Sequence, residues 1–141
     1  MMPAKAMIDA LVDEILKGFP DAQMIYLFGS TASGEARPDS DIDLAMLLPH
    51  AQARTAGNLT LSDLAFRLMR LAKRDVHLIN LRLASTVLQN QVVGHGQVLH
   101  CADENARAEF EMLSLSFYQK LNEERAEIIH AFKETKRAYD V

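Results

Sequence analysis

Phe28-Gly29-Ser30-Thr31-Ala32-Ser33-Gly34-Glu35-Ala36-Arg37-Pro38-Asp39-Ser40-Asp41-Ile42-Asp43-Leu44 is the stretch that decides how this chain is read. An apolar run over residues 24–28 ends in Gly-Ser, ten small, polar or turn-forming residues follow, and a second apolar run opens with two aspartates one residue apart. Side chains alternate faces along a strand, so Asp41 and Asp43 share one side of a strand over 41–48, while Ile42, Leu44 and Met46 take the other. Two carboxylates roughly 6 to 7 Å apart repel one another unless a cation or water stands between them. Magnesium prefers carboxylates, water and substrate phosphates to a closed protein cage, which suits such a pair. Gly29 lets a phosphate approach the backbone and Ser30 offers a hydroxyl. A helix starting there would point free N–H groups at the anion. The stretch reads as a metal and phosphate site.

Two other motifs overlap it and fail. Gly29 to Gly34 has the glycine spacing of a phosphate-binding P-loop, but Glu35 and Ala36 stand where that loop needs Lys and Ser or Thr. Asp39, Asp41 and Asp43 imitate the start of a calcium-binding EF-hand loop, yet Leu44 stands where its glycine belongs and His50 where its glutamate belongs.

Gly-Ser, ten residues, then Asp-x-Asp, written here as GSTASGEARPDSDIDLAML, closely resembles the signature of the DNA polymerase beta-like nucleotidyltransferase superfamily. Within it the chain looks like the minimal nucleotidyltransferase (MNT) group, whose loop commonly reads GS-x-A-x-GEARPDSDIDL. The resemblance is strongest over residues 28–48. Thr31 and Ser33 depart from it, standing where many members carry arginines, which removes two potential phosphate partners but leaves the acids in place.

At 141 residues, 49% of them apolar, the chain is expected to form one domain with a real core, residues 1–141, divided into a core over about 5–101 and a terminal helix over about 103–138. A net charge of −4 argues against a general nucleic-acid surface, so direct DNA binding is not expected. No apolar run reaches the roughly 18 to 20 residues of a membrane span, and Asp9, Asp13 and Glu14 near the N-terminus are unlike a secretory signal. The expected location is the cytoplasm. Cys101, a lone cysteine without a partner base or ligand cluster, reads as a small core residue.

Around the central stretch the pattern alternates helices and short strands, an α/β (α+β) class with a small mixed sheet and flanking helices. Met7, Ile8, Leu11, Val12 and Ile15 give residues 5–18 helical spacing, closed by Gly18 and Pro20. Residues 24–28 read as an interior strand, and Pro49 closes the strand over 41–48. Residues 51–57 read as a loop. Leu61, Leu64, Ala65, Leu68 and Leu71 predict a helix over 59–73 capped by Asn58 or Thr60, with Arg67, Arg70 and Lys73 facing solvent. Residues 74–80 read as a strand on which Asp75, His77 and Ile79 share a face. A short helix over 84–93 ending at Gly94 and Gly96, a small strand over 97–101 and a long helix from Asp103 or Asn105 to about residue 138 complete the chain. The stripe Phe110, Leu113, Phe117, Leu121, Ile128 and Phe132 predicts that this helix packs on the domain, and Ile129, Phe132 and Tyr139 exceed what so small a domain covers. His50, His95, His100 and His130 have no ligand spacing.

The resemblance implies a polymerase beta-like fold and a third carboxylate delivered from a strand after an intervening helix, a place that Asp75 matches. His77, two residues on, is open to two readings: orienting a site acid or an acceptor hydroxyl, or a half-buried structural histidine. The implied catalytic and metal set is therefore Asp41, Asp43 and Asp75 around two Mg2+ ions, with Gly29 and Ser30 on the ATP phosphates. MNT proteins are typically antitoxins paired with HEPN ribonuclease toxins, thought to be neutralised by transfer of AMP from ATP to a toxin tyrosine. The chain is too short to carry an acceptor domain, which agrees with an acceptor on another macromolecule. A binding-only antitoxin with a relic site, and a small-molecule transferase of the antibiotic-modifying kind, are the alternatives.

Overall fold

The computed structural model describes residues 5–29 and 40–139, with side chains through residue 131 and at 133. Ser30 and the turn to Asp39 lie outside the described residues. The described elements, in order, are α1 (Lys5–Gly18), β1 (Met24–Phe28), β2 (Ile42–Leu47), α2 (His50–Ala56), α3 (Asp63–Ala72), β3 (Val76–Asn80), a 3-10 turn (Leu81–Leu83), α4 (Thr86–His95), β4 (Gln97–Cys101) and α5 (Glu104–Tyr139). The strands form one mixed sheet in the order β3-β2-β1-β4. β1 runs antiparallel to β2 and β4, and β2 runs parallel to β3. The parallel pair requires a crossover, which α2 and α3 supply.

Strand alternation divides the core into two layers. Ile25, Leu27, Ile42, Leu44, Met46, Val76 and Leu78 face one side and are buried with Leu11 and Ile15 of α1 and Leu64 and Leu68 of α3. Met24, Tyr26, Ala45 and Leu47 face the other with Val92 of α4 and Phe110 of α5. Asp43 and His77 have the parity of this second face. The apolar stripes of both strands thus determine which way the acids point.

Several elements differ from the sequence expectation for identifiable reasons. Residues 51–57 are not a loop: Pro49 closes β2 but also sits at the cap of α2, a position where its fixed φ suits a helix start, and Gly57 ends the helix at φ 62°. α3 begins later than expected and is capped by Ser62, whose Oγ accepts from Ala65 N at 3.2 Å. Asn58 instead accepts from Thr60 N at 2.9 Å in the preceding turn. Leu61, before the helix, and Leu71, on its outer side, are exposed. α4 runs through Gly94 to His95 under a Ser85 cap. In α5 Phe110 is buried, whereas Leu113, Phe117 and Ile128 are exposed, so its expected packing holds only for the first turns. Phe132 lies outside the described side chains.

Two polar side chains lock the end of the sheet away from the acids. Asn80 donates through Nδ2 to Ala53 O at 2.9 Å and Gly57 O at 3.0 Å, tying α2 to β3. Arg82 donates to Leu48 O and, at 2.8 Å, to Gln23 Oε1, with its guanidinium 5.8 Å from the Phe110 ring centroid. It joins β2, the approach to β1 and α5 in one contact.

Candidate active site

The chain leaves β1 at Phe28, which pairs with Asp43 across the antiparallel ladder. Gly29 follows with φ 75°, a left-handed conformation that a side chain disfavours. A Cβ there would also collide with Asp43 Oδ2. Gly29 is thus required twice, to turn the backbone and to leave room for a carboxylate.

On its other side Asp43 pairs in parallel register with His77. The imidazole Nδ1 lies 3.0 Å from Asp43 Oδ1, and Nε2 lies 3.6 Å from Asp41 Oδ2. One ring therefore reaches both acids. Asp41 is exposed, while Asp43 is half-buried. Burial pushes the Asp43 carboxyl above the usual carboxylate range, the hydrogen-bonded His77 opposes this, and the Asp41 charge adds to it.

Asp75 stands one residue before β3, not within it. Its carbonyl accepts from Ile42 N at 3.0 Å, which starts the parallel ladder. Among the described residues its carboxylate has no hydrogen-bond or ion-pair partner; it opens on a cavity of about 710 Å3 shared with Phe66, Arg67, Arg70 and Arg74. Arg67 also donates to Glu14 Oε1 at 2.9 Å. The structure thus brings Asp41, Asp43 and Gly29 together and adds His77, whose role the sequence left open. Its closeness to both acids depends on the register between β2 and β3, which no local motif records. The Ser30 assignment falls outside the described residues.

The donor chemistry fits a hard divalent cation bound with substrate. Asp41, one residue before β2, and Asp43 within it both approach His77, the more buried one is held above its ordinary pKa, and the neighbouring space is kept open by a missing Cβ. Among the described residues no three His, Cys, Asp or Glu side chains already stand as a metal-holding cluster. Magnesium bound through one or two carboxylates completes its shell with water and phosphate oxygens, so an open pair is the expected form.

Paired acids at a strand entrance with a glycine corner beside them are the kind of donors that a metal-bound triphosphate needs. The chain belongs to the polymerase beta nucleotidyltransferase family, whose pattern it matches over residues 11–105. It is 41% identical over 110 residues to the protein adenylyltransferase MntA of Shewanella oneidensis, covering 78% of this chain and 76% of that protein. A crystal structure of a toxin-antitoxin with AMP-PNP superposes with a TM-score of 0.72 at 36% identity, over 86% of this chain and 95% of the other. A structure of tri-AMPylated S. oneidensis HEPN toxin in complex with MNT antitoxin gives a TM-score of 0.66 at 32% identity, over 89% and 95% of the two chains.

Two substitutions test this geometry. Gly29→Ala is expected to lower stability by about 1–2 kcal/mol through the left-handed backbone alone, with nucleotide binding lost as Asp43 is displaced; unchanged melting and binding would contradict the placement. Asp43→Asn acts in the opposite sense on stability. Because the folded-state pKa of Asp43 is raised, its ionised form costs folding energy above that pKa and the cost disappears as pH falls through it. The variant should melt higher than the parent at neutral pH, and the two should converge on acidification. A lower melting temperature at neutral pH would contradict this.

Proposed function

We propose that the chain is a magnesium-dependent antitoxin that transfers AMP from ATP to a tyrosine hydroxyl of a HEPN ribonuclease toxin and so neutralises it. The observation that carries this reading is the pairing of Asp41 and Asp43 on one face of the sheet, with Gly29 against Asp43, in a chain so similar to protein adenylyltransferase MntA. The relatives solved with AMP-PNP and with a tri-AMPylated toxin support the donor and the acceptor class. ATP as donor gives the reaction a cytoplasmic setting, and no described helix is long and apolar enough to cross a membrane.

In the reaction the tyrosine oxygen attacks the α-phosphorus of ATP, its proton passing to a base for which Asp75 is the candidate, while the bond from that phosphorus to the β-phosphate oxygen breaks and pyrophosphate leaves. Asp41 and Asp43 would hold the magnesium ions, Gly29 and Ser30 the β- and γ-phosphates, and Asp75 completes the acid set on the acceptor side. Metal held there would supply positive charge for the entering and leaving oxygens. The chain itself contributes position: β2 carries Asp43 and follows directly on Asp41, His77 of β3 reaches both carboxylates, and Gly29 would admit the triphosphate close to the backbone. On this reading the acceptor is the partner's tyrosine, and the exposed apolar side chains of α5, Met112, Leu115, Phe117, Ile128 and Ile129, offer surface for that partner chain.

Incubation of the chain and its HEPN partner with labelled ATP and magnesium should place AMP on a partner tyrosine, read by mass spectrometry. Asp41→Asn with Asp43→Asn should reduce the rate by about 100-fold or more. Absence of label from a folded pair would overturn the enzymatic reading. Toxin neutralisation that survives the double substitution would establish a binding-only antitoxin instead.

A further inference from the structure

We infer that the arginine-lined cavity beside Asp75 selects the acceptor, by taking an acidic segment of the partner protein next to the tyrosine that is modified. The inference rests on the nucleotidyltransferase reading and deepens it, naming what the acceptor must carry. The cavity, of about 710 Å3, is lined by Arg67 and Arg70 of α3, by Arg74 after it, and by Phe66 and Met69. Arg67 is already engaged: its guanidinium lies 2.9 Å from Glu14 Oε1 and ties α3 to α1. The guanidinium groups of Arg70 and Arg74 have no hydrogen-bond or ion-pair partner among the described residues, although Asp75 lines the same cavity. Two cations beside the candidate base are therefore available to a ligand.

Position and charge decide what enters. The strand order puts Gly29 at the end of β1, Asp43 on β2 and Asp75 at the entrance to β3. At about 4.8 Å per strand, Asp75 is roughly 10 Å across the sheet from the Gly29 corner. A triphosphate over Gly29 would thus occupy one side of the acids, leaving the Asp75 side to the attacking hydroxyl and the polypeptide around it. Residues 63–75 carry Arg67, Arg70, Lys73 and Arg74 against Asp63 and Asp75, a net +2 in a chain of net −4. The rest of the chain is therefore acidic and repels an acidic segment, whereas this face attracts it, which fixes orientation as well as contact. A nucleic acid, charged along its whole backbone, would meet that repulsion wherever it left the cavity. Guanidinium groups bind carboxylates through paired N–H donors. Phe66, 49% exposed, adds apolar contact, so the fitting segment sets Asp or Glu beside an apolar residue.

The test measures AMP transfer from ATP to the HEPN partner by the full chain and by Arg70→Glu with Arg74→Glu, with melting curves to confirm folding. The charge reversal should raise KM for the partner by about tenfold or more, with kcat and KM for ATP each changed by less than about twofold. Arg70→Lys with Arg74→Lys, which keeps the charge, should recover most of the loss. Two synthetic peptides, a tyrosine flanked by glutamates and a tyrosine flanked by lysines, serve as competitors. The glutamate peptide should inhibit transfer by the parent chain more strongly, and the difference should vanish in the charge-reversed variant. An unchanged KM for the partner would overturn the inference. So would a rise in KM for ATP instead, which would assign the arginines to the triphosphate, or competition by oligouridylate and not by the glutamate peptide, which would assign the cavity to nucleic acid. Each of these leaves AMP transfer by the parent chain intact, whereas a parent that transfers no AMP would overturn the nucleotidyltransferase reading and the inference together.

Discussion

Asp43 sits where two strand pairings meet, opposite Phe28 in the antiparallel ladder with β1 and beside His77 in the parallel ladder with β2's other neighbour, β3. That double registration is the constraint on which the site depends. It brings the Gly29 corner from one strand and the imidazole from another to a single carboxylate. A slip of one residue in either ladder would turn Asp43 into the layer now filled by Ile42 and Leu44 and leave an apolar side chain facing solvent.

The site is stabilised from outside itself. At roughly 6–7 Å and an effective dielectric of about 20, two carboxylates repel by about 2–3 kcal/mol. Each fully buried Leu or Ile contributes about 1.5–3 kcal/mol, and Ile42, Leu44, Met46, Val76 and Leu78 all lie on the opposite parity of the same two strands with no exposed surface. The burial that places the acids therefore exceeds the repulsion that would separate them. Asn80 and Arg82 hold the other end of these strands, so strain at the acid end is not relieved by sliding. The result is a pair of carboxylates kept near one another against their repulsion by the burial around them.

Much of this was legible locally. The alternation Asp41-Ile42-Asp43-Leu44 names both the strand and the face of its acids, and the apolar run over 24–28 delivers a glycine at its end; both readings need only neighbouring residues. What was not legible depends on register or on competition between local signals. His77 looks ordinary in Val76-His77-Leu78, and only the β2–β3 pairing sets it against both acids. Asp75 reads as a strand residue, yet β3 begins at Val76 and only the Asp75 carbonyl joins the ladder. Pro49 ends one element and starts another, and the terminating role concealed α2. In α5 the helical stripe continues past Phe110, but no described element extends far enough to cover it, so periodicity there marks a surface, not a core. Arg82 gave no signal at all, since its partners Leu48, Gln23 and Phe110 are scattered along the chain.

The most direct measurement is a crystal structure of the chain bound to a divalent cation and a non-hydrolysable ATP analogue. The account predicts cation density against the carboxylates of both Asp41 and Asp43, with the triphosphate lying over Gly29. A nucleotide bound elsewhere, with those two carboxylates bare, would contradict it.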